Sequence, residues 1–150
     1  MATSIGGLAA RRPDHLDEPV LALLRGPNAC VVCTQGREGV IHSRAVWVDT
    51  DGIHVVLNSV EDRVWMRDIE RDPHVTCTVV NQSNLYEFAS IEGRVVLRTS
   101  EGADANIDAI AKKYLGVDVY PFHSPDDPRV MLLVEPVRIL HMAPEAAELT

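Results

Sequence analysis

The chain has 150 residues, of which 46% are hydrophobic and 24% charged, the size and balance of one globular domain; this excludes a chain that is disordered or of low complexity throughout. Its formal charge is −8, from 14 basic and 22 acidic residues, so its surface repels phosphate backbones at long range and nucleic acid is not an expected partner. No apolar run reaches the roughly 18–20 residues that a bilayer span needs, and residues 1–12 lack the basic and apolar regions of a signal peptide; a cytoplasmic protein without a membrane partner is expected.

Residues 1–15 read as a flexible tail. A short helix is predicted over Asp17 to Arg25, with Asp17 as cap, Pro19 in the first turn and Gly26 at the end. Ala29 to Thr34 and Val40 to Asp49 flank a turn at residues 35–39 and predict a hairpin. Asp51-Gly52 marks another turn, and Ile53 to Asn58 a third strand. A helix is predicted from Val60 to about Arg71, with Ser59 as cap and Pro73 beyond its end. Val75 to Val80 and Phe88 to Arg98 predict two more strands, with Gly93 marking a bulge. Glu101 to Leu115 carries an apolar stripe at helical spacing, and Gly116 closes it. After a Pro- and Asp-rich loop over residues 117–128, Val130 to Met142 predicts a last strand, with Pro136 implying an edge or a bulge. Six strands with direct strand-to-strand turns and three helices do not alternate as βαβ units. A mainly β fold is expected, a closed antiparallel barrel with peripheral helices. The domain is assigned to residues 16–142, with residues 143–150 as a C-terminal tail.

Cys30 and Cys33 have the spacing of a redox or zinc motif, but on a strand residues three apart point to opposite faces. No second cysteine pair completes a zinc site. The six histidines show no ligand spacing, so no metal is expected. Phosphate-loop and nucleophile-elbow patterns are missing as well. What stands out is the segment from Asn58 to Ile69, which joins a strand to a helix start. Arg63 and Arg67 are four apart on it, and His42 and Arg44 share one face of the preceding strand. Together these residues suit a local phosphate pocket in an acidic protein; ordinary surface pairing with Glu61, Asp62, Asp68 and Glu70 is the alternative.

The order of these segments resembles the pyridoxamine-phosphate-oxidase-like split-barrel superfamily, and within it the actinobacterial group of deazaflavin (coenzyme F420) dependent oxidoreductases. The resemblance covers about Leu16 to His141. It is carried by Ala45-Val46-Trp47-Val48-Asp49, Asn58-Ser59, Arg63, Arg71-Asp72-Pro73-His74-Val75, Asn84, Tyr86, Ile91-Glu92-Gly93-Arg94-Val95, Ile107-Asp108-Ala109-Ile110-Ala111, Tyr114-Leu115-Gly116 and Tyr120-Pro121-Phe122. It implies a six-stranded antiparallel split β-barrel that forms a homodimer with cofactor sites between subunits. Asn58, Ser59 and Arg63 are then expected to contact cofactor, with Trp47 nearby, and Tyr86 and Phe88 to reach across from the partner. The family pattern carries Lys where this chain has Trp65, and Gln-x-Ser-Pro where it has His42-Ser43-Arg44-Ala45. Arg44 is expected to replace the missing Lys, with Trp65 walling the pocket, and a Lys restored at 65 to strengthen binding.

The expectation is an oxidoreductase that uses reduced coenzyme F420 to deliver a hydride to a small unsaturated or quinone-like molecule. No side chain is assigned a catalytic role, because the chemistry belongs to the cofactor. The alternatives are an FMN-dependent oxidoreductase of the same fold and a non-catalytic split barrel that binds flavin or haem.

Overall fold

A period of two in burial sets the faces of the sheet. In the computed structural model, which describes residues 3–145, strand β3 (Ala29–Gln35) buries Cys30, Val32 and Thr34 and turns Ala29, Val31 and Gln35 outward. Strand β7 (His74–Val80) pairs with it and buries Val75, Cys77 and Val79. The CxxC cysteines thus point to opposite sides of one strand, as the alternation requires. Contact with Cys30 and burial push the Cys77 thiol well above its ordinary pKa, which holds it protonated and inert.

The antiparallel ladder runs β4 (Ile41–Val46), β3, β7, β8 (Phe88–Thr99), β9 (Arg129–Pro144) and β6 (Val55–Val60). These six are the strands expected from the sequence. Three short ones bring the total to nine among the described residues: β5 (Asp49–Thr50) on β6, and a hairpin of β1 (Thr3–Ile5) and β2 (Leu8–Arg11). Among the described residues β4 and β6 share no ladder, so the barrel is split along that seam rather than closed.

β9 is long enough to serve three neighbours. Residues 129–134 pair with β6, 131–142 with β8, and 141–144 with β2. The expected N-terminal tail is therefore corrected for residues 3–11. The far end of β9 would otherwise be a free edge, and β2 covers it. The expected C-terminal tail also loses its first residues to β9, and residues 146–150 lie outside the described residues. The bulge is where it was expected: the register shifts between Glu92 and Gly93, with Pro136 opposite Gly93. Pro136 has no N–H to give to a ladder, and the irregularity accommodates it.

Helix α1 (Glu18–Arg25) begins at an Asp17 cap that accepts the Val20 N–H and ends at Gly26. Helix α3 (Ala103–Leu115) ends at Gly116, whose φ of 74° suits a residue without Cβ. Helix α2 (Val64–Arg71) differs from expectation. It starts at an Arg63 cap rather than at Ser59, because residues 55–60 stay in the ladder with β9 and bury side chains on both faces. Trp65, Met66 and Ile69 of α2 join the barrel core with Leu57, Ile91, Leu132 and Ile139.

Candidate functional site

The split between β4 and β6 opens as a cleft of about 840 Å³, within the range of cofactor sites. Both unpaired strands line it: Arg44 to Val46 from β4, Asn58 to Val60 from β6. Arg63 enters from the start of α2, Ile107 and Tyr114 from α3, and Arg129 from the first position of β9.

Three guanidinium groups thus meet in one cleft. Among the described residues Arg44, Arg63 and Arg129 form no ion pair with any carboxylate, although acidic residues outnumber basic ones by 22 to 14. Arg129 is the most firmly placed. Its Nε donates to Asn58 Oδ1 at 2.8 Å, and its guanidinium lies 5.1 Å from the centroid of the Tyr120 ring. Asn58 is itself oriented, because its Nδ2 donates at 2.9 Å to both the Ala103 carbonyl and Asn106 Oδ1. Burial lowers the Arg129 pKa, and the neighbouring Arg63 charge acts in the same direction. A guanidinium keeps its proton in such surroundings, so the cleft gathers positive charge with no carboxylate in its lining, although Asp104 acts on Arg129 from outside it.

The other wall is aromatic. The Trp47 ring stacks on Tyr114 with centroids 5.2 Å apart and planes 5° apart. Tyr120 meets Trp47 edge-on at 6.1 Å and Phe122 at 5.5 Å. The Tyr114 hydroxyl donates to the Asn28 carbonyl at 2.7 Å and accepts the Val48 N–H at 3.3 Å. Burial pushes its pKa up to about 12, so it remains a neutral phenol. Lys113 donates to the Leu24 and Val48 carbonyls, and burial lowers its pKa. These bonds fasten α3 to the chain on either side of β4 and fix the Trp47–Tyr114 stack.

Of the residues expected at the site, Arg44, Trp47, Asn58, Ser59, Arg63 and Trp65 line this cleft. Trp65 does so from within the core, at 4% exposure. His42 and Arg67 do not. They open onto a separate hollow of about 370 Å³ with Arg37, Val64 and Arg71. His42 Nδ1 lies 2.6 Å from Asp68 Oδ2, and Arg67 pairs with Asp62. On α2 Trp65 turns to the barrel and Arg67 away from it, and on β4 His42 lies opposite Thr34, two residues before Arg44 and beside Asp68 of α2. Tyr86 sits 70% exposed in the turn before β8, and Phe88 opens β8 opposite Val80 and Met142; neither lines the cleft of its own chain. The sequence reading missed Arg129, Asn28 and the walling roles of Tyr114, Tyr120 and Phe122. Tyr114 falls at the apolar spacing of its helix and so reads as core, and Arg129 stands alone between Pro128 and Val130 with no pattern to mark it.

The family model for pyridoxamine 5'-phosphate oxidase matches residues 16–143. The chain belongs to this family. Pyridoxamine 5'-phosphate oxidase-like proteins are oxidoreductases on a flavin-binding fold, and the split seam described above is that fold. Comparison with curated protein sequences finds no match. Similar solved structures include an F420 reductase, with a TM-score of 0.71, 21% identity, and coverage of 79% of this chain and 93% of the other. A conserved hypothetical protein from Mycobacterium tuberculosis has a TM-score of 0.64 at 16% identity, covering 86% of each chain. General Stress Protein 26 from Bacillus anthracis has a TM-score of 0.58 at 17% identity, covering 83% of this chain and 91% of the other. At these identities the likeness extends to the fold.

Proposed function

We propose that the protein is an oxidoreductase that binds reduced coenzyme F420 in the seam cleft and reduces a small unsaturated or quinone-like molecule. The observation that carries this reading is that Arg44, Arg63 and Arg129, without a carboxylate partner among the described residues, line one cleft beside a stacked aromatic wall. A planar ring joined to a phosphate has both halves answered there. The arginines suit the phosphate through charge-assisted hydrogen bonds, and Trp47 with the loop aromatics suits the ring. Arg44, expected to replace the family's missing Lys, lines the cleft from β4, and Arg129 adds a further guanidinium from β9.

When bound, the reduced deazaflavin supplies the hydride. The protein's own residues orient the ring, hold the phosphate and exclude water; none is assigned to proton transfer. The likeness to an F420 reductase supports this cofactor over FMN. We further propose that the working form is a homodimer with the cleft completed by the partner. Ile41 is 69% and Val137 is 68% exposed on the sheet, and β4 has no buried residue in this chain, an arrangement a second subunit would cover. The cytoplasmic setting belongs to the same reading; among the described residues no helix is long and apolar enough to cross a membrane.

Titration of the purified protein with coenzyme F420 and, separately, FMN tests the proposal. Saturable binding of F420, tighter than FMN, together with consumption of its reduced form in the presence of quinones, is the expected result. Preference for FMN would transfer the activity to the flavin. Binding without turnover across a panel of acceptors would make the protein a carrier.

A further inference from the structure

Tyr120 and Phe122 wall the cleft, yet both belong to the loop of residues 117–128 rather than to the barrel. Loops of about this length without regular structure are uncommon in compact domains and are often functional. Gly116 ends α3 in the left-handed conformation and turns the chain out into the loop. The shortest ties that return the loop to the body run to one carboxylate. Asp108 Oδ1, on α3, accepts the backbone N–H of Tyr120 at 2.8 Å and lies 2.7 Å from His123 Nε2. The two bonds bracket Pro121 and Phe122. They leave the Tyr120 ring edge-on to Trp47, to Phe122 and, at 5.4 Å, to His123, and beneath the Arg129 guanidinium. The remaining ties are weaker or local: Lys112 approaches Asp118 at 3.9 Å, and Asp126 and Asp127 bond back to Ser124.

We infer that Asp108 is a positioning residue for the cleft, and that it sets the affinity for a planar ring by holding Tyr120 and Phe122 as the outer wall. This rests on the ring-binding reading above. The Tyr120 N–H and then the His123 hydrogen bond hold the Asp108 carboxyl below the usual carboxylate range, consistent with a carboxylate that the loop binds in its charged form. His123 Nδ1 also lies 3.9 Å from Asp104 Oδ1, so the imidazole sits between two acids. Asp108 touches neither the aromatic stack nor the arginines, and it acts only through the loop.

The test combines amide exchange with ligand titration. Asp108→Ala should speed exchange of the Tyr120 amide and weaken F420 or FMN binding, each roughly tenfold, the weight of one charge-assisted hydrogen bond. Asp108→Asn keeps an acceptor at Oδ1 and should restore both to within about threefold on the same reasoning. Affinity for inorganic phosphate should fall less than affinity for the ring-bearing cofactors in Asp108→Ala, because Arg129 keeps its bond to Asn58 when Tyr120 is released. Should Asp108→Ala fail to fold, His123→Ala removes one of the two anchors and is read in the same way. Unchanged Tyr120 exchange, or unchanged ring affinity despite faster exchange, overturns the inference. If the unaltered protein binds neither cofactor, it is the functional reading that fails, and the Tyr120 exchange rate decides the role of Asp108 by itself.

Discussion

The arginines of the seam differ in how they are held, and this separates their expected contributions. Arg129 is fixed by Asn58 and Tyr120, whereas among the described residues Arg44 and Arg63 pair with no carboxylate. Each Arg→Ala change should weaken a phosphate-bearing ligand by about 1.5–3 kcal/mol, the value of a hydrogen bond to a charged group. Calorimetric titration measures this; unchanged affinity in all three variants would place the phosphate elsewhere. Trp65 gives the opposite lesson. Although the family carries Lys at this position, here the indole packs in the core with Met66 and Ile69. Trp65→Lys would bury an ammonium and leave a void, at about 3–5 kcal/mol of stability for so large a truncation in a core. Urea unfolding should show that loss, and ligand binding should weaken rather than improve. The family's Lys cannot simply be restored.

Two joints between elements carry similar weight. Asp68, 1% exposed, ties α2 to the β3–β4 hairpin: Thr34 Oγ1 donates to it at 2.8 Å, His42 lies at 2.6 Å, and Arg71 donates at 2.7 Å. Burial opposes its ionisation, but the His42 and Thr34 hydrogen bonds and the charges of His42 and Arg71 outweigh it, so its pKa falls below 3.8. A depressed carboxyl pKa contributes stability that is fully present above the unfolded value and is lost as pH falls through the folded one. Unfolding free energies of the parent and Asp68→Asn should therefore differ most above the ordinary carboxylate range and converge as pH falls through and below it. A gap that stays constant on acidification would show that the charge is not involved. At the bulge, a Cβ on Gly93 would meet Val134 Cγ1 at 2.5 Å and the Glu135 carbonyl at 2.7 Å. The obstacle is space rather than backbone angle. Gly93→Ala should cost about 1–3 kcal/mol, as overpacking does, and lower the thermal midpoint accordingly.

At the scale of the whole molecule, the open seam is both the weak line of the barrel and its working part. A sheet that closed fully would leave no cleft, and a seam left bare would expose the edges of β4 and β6. The proposed dimer answers both needs. Sedimentation at micromolar concentration should give twice the 16.5 kDa of the chain. A stable monomer there would defeat the shared-site reading while leaving the cleft itself in place.

Most of the elements were legible because their causes are local. Alternating apolar residues in β3 and β7, the Asp17 and Gly26 ends of α1, the stripe and Gly116 stop of α3, and the pairing of Gly93 with Pro136 as a bulge all depend on neighbours in sequence. The family resemblance likewise singled out Trp47, Asn58, Ser59 and Arg63, and the strand period singled out Arg44; the fold brings these five to one cleft. The start of α2 was not legible, because a ladder with β9, some seventy residues away in the chain, keeps residues 59 and 60 in a strand against the local capping signal. Arg67, on the exposed face of α2, and His42, bonded to Asp68 near the start of β4, go to another hollow. The N-terminal strands and Arg129 were hidden for a related reason: each gains its place only from the two ends of β9, one supplying an edge to cover, the other a position opposite Val60 at the mouth of the seam. Local chemistry settled which segments are strands and helices; long-range pairing decided which side chains share the cleft.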